Sequence, residues 1–232
     1  MLNFWNWLSD KGCQFTWIDH HITAIEQLKH LNIPGFQHSA KSGCLNTWFE
    51  IMKDSTGIPS APMVLRFVND FDIWNKRSEY SWDKQLYPLI YFINSLGSDL
   101  NDNTGELVTT LKQMFEDNNY TNKCINIGKY IYRYIQNEYN INANKIYDGT
   151  WKDYKCLFVN SSYKGSTQFE CLENYKDYDL LIAWNFNGKK YLYGVYSVNP
   201  KIHCGELCKM YLNGGGHKGA GGGESTKFLT EE

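Results

Sequence analysis

Apolar residues recur at helical spacing in Leu2, Trp5 and Leu8, and Lys11-Gly12 ends that run. Residues 14–18 then alternate and are β-rich, so the chain opens as helix, turn and strand, with Asp19-His20-His21 at the strand's C-terminal end. Ile25, Leu28 and Leu31 predict a helix over 23–31, which Pro34-Gly35 breaks before a short extended piece at Phe36. The loop Ser39-Ala40-Lys41-Ser42-Gly43 leads into a helix with Leu45, Trp48, Phe49 and Met52 on one face. A turn-rich stretch from Ile58-Pro59 to Pro62 precedes the apolar residues 63–68, which run into Asn69-Asp70-Phe71-Asp72-Ile73-Trp74. Helices are expected at about 84–96, 106–117 and 121–139, the last carrying Ile125, Ile127, Tyr130, Ile131, Tyr134 and Ile135 and serving as a connector.

Beyond the polar residues 140–144 the pattern changes to strands at 155–160, 179–186 and 189–198. Asn187-Gly188 between the last two is a favoured type I′ pair. A helix over 204–211 then delivers a glycine-rich run, Asn213 to Gly223, of which Gly221-Gly222-Gly223 reads partly as a flexible tail. Tyr163, Lys164 and Ser166 read as a solvated turn. The fold class is α/β, in two parts: residues 1–140, a sheet domain with a helical connector, and residues 145–232, a small α/β domain.

Composition narrows the partners more than it names them. At 232 residues and 42% hydrophobic, the chain can bury one large core or two small ones. A formal charge of -2 and a pI near 6.3 give no bulk attraction to a phosphate polymer, so any such binding must come from a local patch. The seven cysteines are scattered without paired spacing, which argues against a disulfide framework and a zinc ribbon and for reduced, cytoplasmic thiols. Cys204 and Cys208 are expected to be small buried helix residues. No segment reads as a signal peptide or a membrane span.

Two segments carry chemistry. Asp19-His20-His21 places a carboxylate and two imidazoles at the mouth of a strand, a donor set that divalent metals such as Mn²⁺ accept. A metal held there lowers the pKa of a coordinated water, which is phosphoester-hydrolysis chemistry. Near the other end, Gly214-Gly215-Gly216-His217-Lys218 offers successive backbone N–H groups with no Cβ in the way, followed by a hydrogen-bonding ring and a positive charge. A surface turn and a flexible tail are the bland readings of the two segments; their order and context favour the chemical ones.

In that order, the two segments resemble the signature ends of the DHH phosphoesterases, which carry an Asp-His-His metal loop and, in a DHH-associated C-terminal domain, a glycine-rich substrate loop. Asn69-Asp70-Phe71-Asp72-Ile73-Trp74 resembles the family's fourth metal motif, most nearly in its oligoribonuclease-like group. The resemblance implies a partial Rossmann-like parallel-sheet domain, a helical connector and a small α/β substrate domain. It also implies Mn²⁺ or Mg²⁺ as cofactor and short oligonucleotides or nucleotides as phosphoester substrates. Residue by residue, His20 becomes a metal ligand and Asp70 a second, with Asp72 the alternative to Asp70. Asp19 orients the loop, His21 lies near the attacked phosphate, and Gly214, Gly215, Gly216, His217 and Lys218 bind substrate. Family members place an Asp-x-Asp loop and a further Asp upstream of Asp-His-His, and only eighteen residues precede it here. The expectation is therefore a truncated or split enzyme, completed by an N-terminal half on another chain or by homodimerisation. The competing expectation is a non-catalytic nucleotide-binding module using the glycine loop.

Overall fold

A computed structural model describes residues 6–8, 10–52, 60–97, 105–162 and 165–229. Leu2, Trp5, Ile58-Pro59, Tyr163 and Lys164 lie outside the described residues. The chain divides into two compact units, Met1–Tyr134 and Ile135–Glu232. Both mix helix and sheet, which makes the protein α/β. No helix among the described residues is long and apolar enough to cross a membrane.

In the first unit, β1 (Trp17–Asp19) and β2 (Gly35–Gln37) form a parallel pair in which Trp17 faces Gly35 and Asp19 faces Gln37. Helix α1 (Ile22–Leu28) connects them, continued by a 3₁₀ turn over Lys29–Leu31. Both strands deliver their C-terminal ends to the same edge, where Asp19 and His38 stand side by side: the His38 N–H donates to the Asp19 carbonyl at 3.1 Å. Helix α2 (Gly43–Ile51) starts at that edge, capped by Ser42, whose Oγ accepts from the Leu45 N–H.

The apolar residues from Met63 are helical and continue through the acidic motif as α3 (Met63–Asp72). Val64, Leu65 and Phe67 are buried, and a cluster forms around Phe67 with Leu86, Leu89, Phe92, Met114, Cys124 and Ile125. A π-helical turn over Trp82–Leu86, α4 (Tyr87–Ser95), α5 (Glu106–Glu116) and the long α6 (Asn118–Asn142) complete the helices. The polar residues 140–142, read as part of a boundary, are instead the last turn of α6, and a 3₁₀ turn follows at Ala143–Lys145.

The second unit is a six-stranded sheet of β3 (Tyr147–Trp151), β4 (Tyr154–Asn160), β5 (Leu180–Phe186), β6 (Tyr191–Ser197), β7 (Gly215–Gly216) and β8 (Ala220–Ser225), in the order β3-β4-β5-β6-β8-β7. Only β4 and β5 run parallel. Both faces of these central strands are covered, so Cys156, Leu157, Phe158 and Val159 are all buried, as are Leu180, Leu181, Ile182 and Ala183. One face packs with helix α7 (Cys204–Tyr211) through Cys204 and Cys208, the other with Phe169.

Two sequence expectations change here. The type I′ signature, positive φ at both central residues, belongs to Lys152 (50°) and Asp153 (68°) between β3 and β4. At the β5–β6 hairpin the Asn187 N–H donates to the Lys190 carbonyl, which puts Gly188 and Lys189 at the tip with Gly188 alone at positive φ (90°). The second change is larger: Gly221-Gly222-Gly223 is no tail but the middle of β8, paired to β6 on one side and β7 on the other. Glycine is required because α7 lies directly on this hairpin. A Cβ on Gly205 would fall 2.3 Å from the Gly216 carbonyl oxygen, and one on Gly221 would fall 2.8 Å from Cys208 Sγ.

All seven cysteines are free thiols. Cys156, Cys204 and Cys208 are fully buried, and burial pushes each thiol up to about 12. In native protein an aromatic disulfide reagent at pH 8 is expected to label the exposed Cys13 and Cys171 first, while these three react only on unfolding; mass spectrometry of the labelled peptides checks it. Gly205→Ala should lower unfolding free energy in urea by about 1–3 kcal/mol, through the clash with the Gly216 carbonyl. Gly215→Ala, with open space around its Cβ, should stay within about 0.5 kcal/mol of the parent.

Candidate functional site

Asp19 ends β1 and its carboxylate organises the two histidines that follow. Oδ1 accepts from the His20 N–H (2.7 Å) and the His21 N–H (3.1 Å) and lies 2.8 Å from His21 Nδ1. Oδ2 accepts from Trp17 Nε1 at 3.2 Å. Burial alone would raise the pKa of this carboxyl, but the hydrogen bonds from His21 and His20 outweigh it and hold the group below the ordinary aspartate value. The turn so formed sends the His20 ring inward, where the residue is 6% exposed, and leaves His21 at the surface.

His20 Nε2 lies 3.3 Å from Asp72 Oδ2. Both line a cleft of about 540 Å³ in the first unit, together with Asp19, His21 and Cys44, against an apolar wall that includes Ile18, Phe71, Ile90 and Ile93. Burial and the negative charge of Asp72 push the Cys44 thiol up, more than the Ser42 hydroxyl 3.1 Å away brings it down.

Asp70, aligned with the metal motif in the sequence, faces elsewhere. Its Oδ1 accepts from Asn69 Nδ2 and Asn75 Nδ2, each at 3.1 Å, and its Oδ2 from the Ser78 hydroxyl. Asn69 in turn accepts the Ser42 N–H at 2.9 Å, so Asp70 belongs to a network that ties the start of α2 to the end of α3. Asp72 is the carboxylate that reaches the histidine.

A metal fits the donor set. A neutral imidazole nitrogen and a carboxylate oxygen 3.3 Å apart have the separation of adjacent ligands on one ion whose bonds are each about 2.1 Å long. The acceptor character of Asp19 and Asp72 and the burial of His20 suit a hard or borderline divalent cation.

Sequence reasoning missed Asn46. It is fully buried on α2, and its Nδ2 faces the carbonyls of His38 (2.9 Å), Lys41 (3.4 Å) and Asp19 (3.5 Å), while Oδ1 has no hydrogen-bond partner among the described residues. The available signal was a carboxamide beside Leu45, next to the apolar face of this helix, a position that demands partners.

In the second unit the glycine loop is more occupied than the sequence suggests. The Gly214 N–H donates to the Cys208 carbonyl (3.1 Å) and the His217 N–H to the Ala220 carbonyl (2.7 Å), so the first and last of the four successive amides expected to cradle phosphate are engaged, and the two between them belong to β7, paired with β8. The carbonyls of His217 and Lys218 accept from the first N–H groups of α7, those of Gly205 and Cys204. Gly215 and Gly216 are strand residues, and the Lys218 side chain is exposed at the hairpin tip.

No family model matches the chain, and no curated protein sequence matches it. Among solved structures it is similar to an uncharacterized protein from Helicobacter pylori, at 20% identity and a TM-score of 0.34, covering 98% of this chain and 75% of that one. It is also similar to a pGpG-specific phosphodiesterase from Vibrio cholerae (13% identity, TM-score 0.45, 83% of this chain and 72% of that one). A third is an exopolyphosphatase-related protein from Bacteroides fragilis (15% identity, TM-score 0.44), of which the match spans 61% against 94% of this chain.

The two acidic residues should separate in stability. Asp70→Ala leaves three donors without their acceptor and is expected to cost about 1–3 kcal/mol in urea unfolding. Asp72→Ala, whose side chain is 44% exposed, should cost less than about 1 kcal/mol in the same measurement.

Proposed function

We propose that this protein is a metal-dependent phosphoesterase acting on nucleotide or short oligonucleotide phosphoesters, with its chemistry in the cleft of the first unit. The observation that carries the reading is buried His20 with Nε2 3.3 Å from Asp72 Oδ2, in a cleft that also holds Asp19 and His21. The order Asp-His-His followed by an acidic fourth motif supports it from the sequence. In this reading His20 and Asp72 hold a divalent ion, Mn²⁺ or Mg²⁺. Bound there, the ion supplies a water of lowered pKa and an electrophile for phosphoryl oxygen.

The other residues act around that centre. Asp19 fixes the backbone of both histidines through their amides, which sets the direction of the His20 ring. Its Oδ1 also holds His21 Nδ1, which selects the tautomer of that ring. Nε2 is then the ring atom through which His21 would pass a proton to the leaving oxygen. Ile18, Phe71, Ile90 and Ile93 give the cleft an apolar wall beside these polar groups.

Hydrolysis of a dinucleotide and of bis(p-nitrophenyl) phosphate by the purified chain, with and without Mn²⁺, tests this. Turnover is expected only with metal, and His20→Ala and Asp72→Asn should each reduce kcat/KM by about a hundredfold or more. Turnover that ignores both substitutions, or no turnover by the folded protein with Mn²⁺ or Mg²⁺, would sink the proposal.

A further inference from the structure

Two residues past Asp72 the chain leaves α3 through a Schellman end: the Asn75 N–H donates to the Asp70 carbonyl at 2.8 Å and the Trp74 N–H to the Phe71 carbonyl at 3.2 Å. The residue at the left-handed position of such an end is most often glycine, because any Cβ crowds the backbone there. Here it is Trp74, at φ 55°. A tryptophan in this region is a conformational outlier, and core packing does not account for it, since the side chain is 44% exposed.

The indole is nonetheless held in place. Its ring centre lies 4.7 Å from that of Trp82, tilted by 69°, and 6.3 Å from that of Phe71. Lys76 Nζ sits 4.0 Å from the Trp74 ring centre and 3.8 Å from that of Trp82, a cation–π contact that fixes the two indoles against each other. Trp82 is pinned in turn by its Nε1, which donates to the Asn75 carbonyl at 3.1 Å. Phe71, on which Trp74 leans, also lines the cleft that contains His20 and Asp72. The result is a half-exposed, pre-oriented aromatic surface with a positive charge on it, outside the cleft and next to Phe71 of its wall.

We infer that Trp74, fixed by Trp82 and Lys76, is a base-stacking residue, and that the ligand of this cleft is a nucleoside phosphate rather than a simple phosphoester. The inference rests on the phosphoesterase reading for what occupies the cleft, and names the group that lies outside it. Stacking on an indole uses the π-face that every base presents, so the surface selects for a base without selecting which base. The Lys76 ammonium adds attraction for the phosphate side of the same ligand.

Calorimetric binding of AMP and of ribose 5-phosphate to the full chain with Mn²⁺ tests this without requiring turnover. AMP should bind about ten- to a hundredfold more tightly than ribose 5-phosphate. Trp74→Gly, which supplies the residue the backbone favours, should erase that preference while leaving ribose 5-phosphate affinity within about twofold, and Trp74→Phe should keep most of it. Circular dichroism establishes that both variants are folded. Three results overturn the inference: no AMP preference in the parent chain, including no AMP binding; a preference that survives in Trp74→Gly; or equal loss of both ligands in that variant. A Trp74-dependent preference without hydrolysis of any ester would sink the phosphoesterase reading and leave this one standing. Hydrolysis without base preference would do the reverse.

Discussion

The carboxamide of Asn46 holds together the edge on which the cleft is built. A parallel pair of three-residue strands has few hydrogen bonds of its own and could not by itself keep two loop ends in register. Nδ2 of Asn46, buried on α2, reaches the carbonyl that ends β1 and two carbonyls of the loop after β2, and so joins Asp19, His38 and Lys41 to one helix. The amide has only one workable orientation, because turning it over would set its oxygen against three carbonyl oxygens. Leaving Oδ1 without a partner costs on the order of 1–3 kcal/mol, and that cost is the measure of what the cross-link must offset.

From that edge the arrangement of the acidic groups follows. Asp19 faces the two backbone amides after it, His20 is driven inward, and α3 brings one carboxylate to meet it. Residues two apart on a helix point about 200° away from each other, so Asp70 and Asp72 cannot serve the same centre. One closes the network that joins α2 to α3, and the other faces the imidazole. The sequence shows both carboxylates at the right distance along the chain. What decides between them is that the motif lies within a helix, which its apolar lead-in, read without a fixed periodicity, does not reveal.

The same boundary between legible and hidden runs through the second unit. Continuous apolar runs such as Cys156 to Val159 and Leu180 to Ala183 announce strands covered on both faces, and the structure places them at the centre of the sheet. Strand β3 has no such run, and its tight turn uses Lys152 and Asp153, residues that carry none of the glycine or asparagine signal for positive φ. The glycine-rich end misleads for the opposite reason. Glycine is permissive in isolation, so a run of it looks flexible, and only the contact with α7 shows that its lack of a side chain is a packing requirement.

That packing also limits how this part of the chain can diverge. Backbone atoms block a Cβ at Gly205, Gly214, Gly216 and Gly221, and Leu212 blocks one at Gly223, whereas Gly215 and Gly219 have room. The hairpin is thus a rigid frame whose composition is nearly fixed by its own geometry. Room for side chains is left at Gly215 in β7 and at Gly219 in the tip, so related chains could change these positions without disturbing the contact with α7.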